Sequence, residues 1–179
     1  ENKNISKVPA LAKSEGSMLI NVESGGYGKA KRGIIDYEFD NGTVNPGEYS
    51  FEKMISGRYQ GGVVLAVLKK AAEEGLFSHK FADSIKSIDE LTCEEISNFL
   101  YYPYSKNSLS MCCGDGMDDR ILLYHICNAM IERAAKLVAI NLASIMLKTG
   151  RGKNPCKPVC IAAEGSTFYK LKLFRYKLD

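Results

Sequence analysis

Asn45-Pro-Gly47-Glu-Tyr-Ser50-Phe-Glu52-Lys-Met-Ile-Ser56-Gly57-Arg58-Tyr59 joins a turn, a short helical piece and the entrance to a long helix in one run. Asn45-Pro-Gly47 signals a turn, because proline presets φ and glycine accepts the positive φ of a tight reversal. Ser50 is a helix-capping residue type, and the spacing predicts a capped helical turn over 51–55 that Ser56-Gly57 interrupts. Glu52 therefore falls on a short, oriented element. From Tyr59 onward Val63, Val64, Val67, Leu68, Ala71 and Ala72 recur at helical spacing, and Gly75 is placed to stop that helix. Gly61-Gly62 runs against it, costing about 1 kcal/mol per glycine relative to alanine.

Upstream, Met18, Ile20 and Val22 alternate with Leu19, Asn21 and Glu23, so residues 17–23 read as a strand with Asn21 and Glu23 on one face. Ser24-Gly25-Gly26-Tyr27-Gly28 then breaks it, leaving a carboxylate at the carboxyl end of a strand, where glycine lets backbone approach a ligand closely. Downstream, a helix is expected over 89–100 with an acidic first turn, and 101–116, with Pro103 and Asn107, reads as a surface excursion. The longest element is expected over 118–148, acidic at its start, basic at its end and followed by Gly150, spanning roughly 45 Å. Its apolar residues between Leu137 and Leu147 run nearly all the way round, which predicts burial between other elements. Residues 157–163 then read as a β-branched strand, Glu164-Gly165-Ser166 as a turn and 167–171 as another strand. The pattern predicts an α/β fold in which a β-sheet is flanked by helices, one of them long and buried.

The chain has 179 residues, 45% of them hydrophobic and 25% charged, the balance of a globular protein with a core. Its net charge of +3 comes from 24 basic and 21 acidic residues that are interspersed, which argues against a nucleic-acid or membrane partner. The basic and aromatic tail, with Lys170, Lys172, Arg175 and Lys177 among Tyr169, Phe174 and Tyr176, is better read as an amphipathic element than as a stacking surface for single strands. The six cysteines show no Cys-x-x-Cys spacing, which favours a reducing, cytoplasmic setting and thiols without a metal. No stretch approaches the ~20 apolar residues of a membrane span. The chain starts at Glu1 rather than methionine and closes inside an expected element, so it is expected to be a piece of a longer protein.

Several residues stand out chemically. Ionised Glu23 and Glu52 accept hydrogen bonds only, so two carboxylates converging on a polyhydroxylated ligand can each take a pair of hydroxyls. Gly165-Ser166 at a tight turn suits backbone N–H groups facing a nucleotide, and Arg58 beside Gly57 at a helix start suits a phosphate. Each has an ordinary reading too, as a surface glutamate, a plain turn or a solvated arginine.

Taken together, Asn21-Val-Glu23-Ser-Gly25-Gly-Tyr-Gly28, Glu38-Phe-Asp40, Asn45-Pro-Gly47 and Phe51-Glu52-Lys-Met-Ile-Ser-Gly57-Arg-Tyr59 resemble the hexokinase family in order and spacing. Arg133-Ala-Ala135 within a long helix, and Glu164-Gly165-Ser166 ahead of Tyr169-Lys170, extend the likeness over most of the chain, with residues 76–116 matching poorly. The resemblance implies part of an actin-like ATPase (ribonuclease H-like) domain, 1–179 being a portion of the large domain. It also implies ATP- and Mg2+-dependent phosphorylation of glucose or a related hexose at the 6-hydroxyl. By the same likeness Glu23 and Glu52, with Asn21 beside them, are substrate-binding. Gly57, Arg58, Ser97, Gly165 and Ser166 fall at nucleotide positions. Ser24 stands where an aromatic is common, Gly62 where glutamate is usual, and Glu164 in place of aspartate. The family's catalytic aspartate and first phosphate loop have no counterpart in these residues, so the base is expected upstream and the isolated piece is expected to be inactive, with the remainder of the hexokinase chain as its partner. The rival reading is a non-catalytic, hexokinase-like sugar binder with a regulatory role.

Overall fold

The computed structural model describes residues 22–179. Among the described residues a short 3-10 turn, Ser24–Gly26, precedes nine helices: α1 Ile34–Asn41, α2 Ser50–Ile55, α3 Gly57–Glu73, α4 His79–Lys86, α5 Cys93–Tyr101, α6 Ser108–Cys113, α7 Met117–Thr149, α8 Ser166–Lys170 and α9 Phe174–Leu178. Among the described residues there is no strand, which corrects the expected α/β sheet. The strand expected over 17–23 lies, except for Val22 and Glu23, outside the described residues, and so does Asn21.

The other two expected strands fail for different reasons. Residues 157–162 are all exposed, and no neighbouring strand stands among the described residues to take their hydrogen bonds. A β-branched pattern confers the capacity to pair, but a ladder needs a second strand about 4.8 Å away. Residues 167–170 instead wind into α8, whose Phe168 packs against the core, and the following Leu171 and Phe174 are buried, so one side of this stretch faces the core where a paired strand was expected.

α3 forms the centre of the core. Val63, Val64 and Leu68 pack with Phe81 and Ile85 of α4, Ile96 and Phe99 of α5, Leu109 of α6, and Leu123, Cys127 and Ile131 of α7. Phe77 stacks on Phe81 with ring centroids 3.9 Å apart. Fully burying each such side chain stabilises by about 1.5–3 kcal/mol. The unfavourable glycines in α3 now have a cause. A Cβ on Gly61 would stand 1.8 Å from the Leu91 carbonyl oxygen, and one on Gly62 would stand 2.6 Å from Phe39 Cε2. The chain leading into α5 and the side chain from α1 occupy that space, and only glycine admits them. Gly75 ends the helix at φ 76 as expected: its N–H donates to the Ala72 carbonyl, and the Leu76 N–H donates to that of Ala71.

α7 matches its expected span and ends at Gly150 with φ 69. Its first half is buried at Leu123, Cys127, Ile131, Ala134 and Ala135. The second half corrects the expected burial: Ile140 is 61% exposed and Leu147 75%. The helices that cover the first half do not extend over the second, so an apolar circumference marks surface that wants cover without supplying it. α5 starts at Cys93 rather than at 89, because Thr92 and Glu95 form a reciprocal capping box: the Thr92 hydroxyl accepts from the Glu95 N–H at 3.2 Å, and a Glu95 oxygen accepts from the Thr92 N–H at 2.9 Å. The expected surface excursion contains α6, which buries Leu109, Cys112 and Cys113 and is capped by Asn107. Among the described residues no helix is long and apolar enough to cross a membrane.

Candidate functional site

α2 exposes one face and locks the others. Phe51 and Met54 are buried in the core, and the half-buried Glu52 stands on the first turn. Ser50 does not cap the helix as expected. It is the first helical residue, and its hydroxyl donates to the Tyr27 carbonyl at 3.4 Å, while the preceding Tyr49 turns the chain in a left-handed conformation, φ 49. Lys53, next to Glu52, is 3% exposed and reaches Asp40 Oδ1 at 2.5 Å, Thr43 Oγ1 at 2.8 Å and the Asn45 carbonyl at 2.7 Å. Asp40 Oδ2 accepts from Arg32 at 2.8 Å and from the Gly47 N–H at 3.1 Å. Burial would push the Asp40 carboxyl up, but the bonds from Lys53, Gly47 and Arg32 outweigh it and hold it below the ordinary carboxylate range. Both buried charges are thus paired and hydrogen-bonded, which is the condition for tolerating them. This network is what the Asn45-Pro-Gly47 turn encloses.

The glycine turn lies against α2. Glu23 has φ 41, a left-handed backbone that costs a non-glycine residue about 1–3 kcal/mol. A Cβ on Gly25 would sit 3.2 Å from Glu52 Oε2, so the segment that starts at Glu23 reaches the Glu52 carboxylate. Tyr27 packs edge-on against Phe51 with centroids 6.2 Å apart, and the Ser24 hydroxyl accepts from Asn141 Nδ2 of α7 at 2.8 Å. α1 is tied to α7 as well, through a salt bridge from Arg133 to Asp36, whose other oxygen accepts from the Gly33 N–H at 2.8 Å. In place of a side chain at Gly62, the Phe39 ring fills the gap and stands edge-on to Tyr59, with centroids 6.4 Å apart.

Beyond the Ser56-Gly57 break a separate open cleft of about 490 Å³ is lined by Gly57, Arg58, Ser97 and Ser166, four of the five residues expected at nucleotide positions. Gly165 precedes α8 with φ 124 and lies outside that lining. α3 opens on the cleft at Gly57 with no side-chain cap, so its positive end faces the same space as the exposed Arg58. A Cβ on Gly57 would come within 2.2 Å of Thr167 Oγ1, so glycine is what brings α3 and α8 together. The Ser97 hydroxyl donates to the Lys170 carbonyl at 3.5 Å and accepts from the Lys172 N–H at 3.1 Å, tying α5 to the α8–α9 segment. Cys93 Sγ donates to the Gly57 carbonyl at 3.2 Å, and burial raises its thiol above the ordinary value despite the Gly61 N–H. Sequence reasoning missed Glu94, Asn98 and Tyr101, which also line the cleft. With Ser97 they recur at 94, 97, 98 and 101, one face of a helix, and that spacing was the available signal.

The described residues thus hold Glu52 on one side of the α2–α3 break and the uncapped helix start with Arg58 on the other. The hexokinase family model matches residues 1–179, and the chain belongs to that family. It is 31% identical to Hexokinase-2 of Homo sapiens over 177 residues, covering 92% of this chain and 19% of that protein. It is 34% identical to Hexokinase-1 of Rattus norvegicus over 173 residues, covering 86% of this chain and 18% of that protein. The chain thus spans about a fifth of the length of these curated relatives. A solved hexokinase from Schistosoma mansoni, complexed with glucose, superposes with a TM-score of 0.68 at 20% identity, over 88% of this chain and 38% of that one. The chain therefore shares the fold of part of that hexokinase.

Proposed function

We propose that this chain forms part of an ATP-dependent hexokinase that phosphorylates glucose or a related hexose at its 6-hydroxyl, supplying two sugar-binding carboxylates and one wall of the nucleotide site. The observation that carries the reading is the contact of the glycine turn with Glu52, which joins the segment beginning at Glu23 to the second carboxylate. In this reading Glu23 and Glu52 accept hydrogen bonds from sugar hydroxyls, and an analogue lacking those hydroxyls loses affinity because a carboxylate is left desolvated and unpaired. The solved Schistosoma mansoni relative complexed with glucose supports the choice of ligand.

Arg58 and the uncapped start of α3 then face the phosphates of ATP, where a positive helix end and a guanidinium both favour an anion. Gly57, Gly165 and Ser166 bring backbone close to the nucleotide, and Ser97 braces the α8–α9 segment that forms the far wall. Mg2+ bound with ATP would neutralise phosphate charge during transfer. Transfer of this kind depends on positioning and charge stabilisation, and the family's aspartate base has no matching motif in these residues, so the 179 residues alone are inactive on this reading.

The test is calorimetric glucose titration of the full-length protein. Glu23→Gln and Glu52→Gln each weaken glucose at least about tenfold, the scale of a charged hydrogen bond, with MgATP affinity unchanged. Wild-type glucose affinity in both variants removes them from the site. Glucose binding without ADP formation in the full-length protein supports instead the non-catalytic sugar binder.

A further inference from the structure

We propose that Asn141 is a positioning residue for Glu23, acting through the hydroxyl of Ser24. The inference rests on the reading of Glu23 as a sugar acceptor and assigns the device that aims it. Glu23 lies in a left-handed backbone conformation and caps the Ser24–Gly26 turn, which contains no buried residue. Two of the three turn residues are glycines, so the turn has few side-chain atoms to pack. Its Ser24 carbonyl accepts from the Tyr27 N–H at 3.0 Å, which closes the turn on itself, and its far end rests on α2, where the Tyr27 carbonyl accepts from Ser50 and the Tyr27 ring packs against Phe51.

The end of the turn next to Glu23 is tied to α7. Asn141 Nδ2 donates to Ser24 Oγ at 2.8 Å across 117 positions of sequence. Asn141 sits on the second half of α7, beside the exposed Ile140, where the helix serves little purpose in the core. α7 itself is anchored in the core by its first half, and by the Arg133–Asp36 salt bridge to α1. The helix thus acts as a stiff arm, and its polar tip holds the residue that follows Glu23. Releasing Ser24 removes the tie to α7 at the residue that follows Glu23, so the left-handed backbone at Glu23 is held less tightly and its carboxylate is aimed less sharply at the ligand.

The experiment uses the full-length protein and compares Ser24→Ala, Asn141→Leu, the double variant and the hydroxyl-retaining Ser24→Thr, with Glu23→Gln as reference. Glucose Kd and the separate KM values for glucose and MgATP are measured. Ser24→Ala and Asn141→Leu are each expected to weaken glucose about five- to tenfold, the worth of one neutral hydrogen bond, with the KM for MgATP unchanged. The double variant is expected to be no weaker than either single one, because both remove the same bond, and Ser24→Thr is expected to stay near wild type. Ser24→Ala deletes one oxygen from an unburied turn and keeps the test open should Asn141→Leu fold poorly. Glucose weakened by Glu23→Gln but by neither Ser24→Ala nor Asn141→Leu overturns the positioning role alone. Multiplying effects in the double variant, or a parallel rise in the KM for MgATP, reduce Asn141 to a structural residue. Unchanged glucose binding in Glu23→Gln removes the underlying sugar-site reading instead.

Discussion

Glu52 rides on a helix whose next residue, Lys53, is buried in an ionic network with Asp40, Arg32, Thr43 and Asn45, while the turn that follows Glu23 is tied to α7 and α2 by neutral bonds, from Asn141 to Ser24 and from Ser50 to the Tyr27 carbonyl. Gly25, two residues past Glu23, abuts Glu52, but the two positions are supported by different physics. A buried, fully bonded ion pair tolerates almost no change in geometry, because losing either partner leaves a charge without solvent. A single amide-to-hydroxyl bond at a half-exposed site is worth about 1 kcal/mol and can break and reform. The difference teaches that the helix bearing Glu52 is fixed by burying charge, whereas the turn that follows Glu23 is tied through neutral bonds, a softer support that suits the proposed sugar site.

The comparison breaks most easily at Asp40. Asp40→Ala strands Lys53 in the core and is expected to cost about 3–5 kcal/mol in urea denaturation. A loss below about 1 kcal/mol would mean that packing of Phe51 and Met54, rather than the ion pair, orients α2.

Acid separates the two supports. Asp40 is depressed in the folded chain, so its contribution is complete above the unfolded carboxylate pKa of about 4 and fades as pH falls through its lower folded value. The stability gap between wild type and Asp40→Asn is therefore expected to narrow as pH drops below about 4, whereas the gap to Ser24→Ala stays flat. Hydrogen bonds and charge from Lys136 and Lys177 hold Glu132 at about 2, and it cancels from both gaps. Parallel curves for the two variants would show that Asp40 carries no ionic share.

The smallest effect belongs to the turn. Ser24→Ala is expected to shift the stability of the chain by no more than about 1 kcal/mol, measured by thermal melting, while under the proposal above it weakens glucose. A larger loss would mean that the turn belongs to the folding core, and the contrast with α2 would disappear.

Much of this was legible where signals are local. The stops at Gly75 and Gly150, the span of α7, the short piece bearing Glu52 and the run at Gly57-Arg58 all follow from periodicity and end signals within a few residues. Thr92 and Glu95 were equally readable as a capping box and would have placed the start of α5. α1 and α4 were not anticipated. α1 in particular buries two carboxylates, Asp36 and Asp40, which a pattern of apolar residues does not mark. The strand readings at 157–163 and 167–171 failed because alternation records what a segment can do, and only neighbours decide whether it does.

By itself the sequence determined the ends of the long helices, the family to which the chain belongs, and the candidate carboxylates and glycines, since each depends on residue type and short spacing. Tertiary structure decided which charges are buried and which faces are covered. It paired Lys53 with Asp40, seated Thr167 against Gly57, held Ser24 from Asn141 and left Ile140 and Leu147 of α7 exposed. The reason is range: backbone preference and capping act over one or two turns, whereas desolvation and pairing depend on what the rest of the chain brings to the same place.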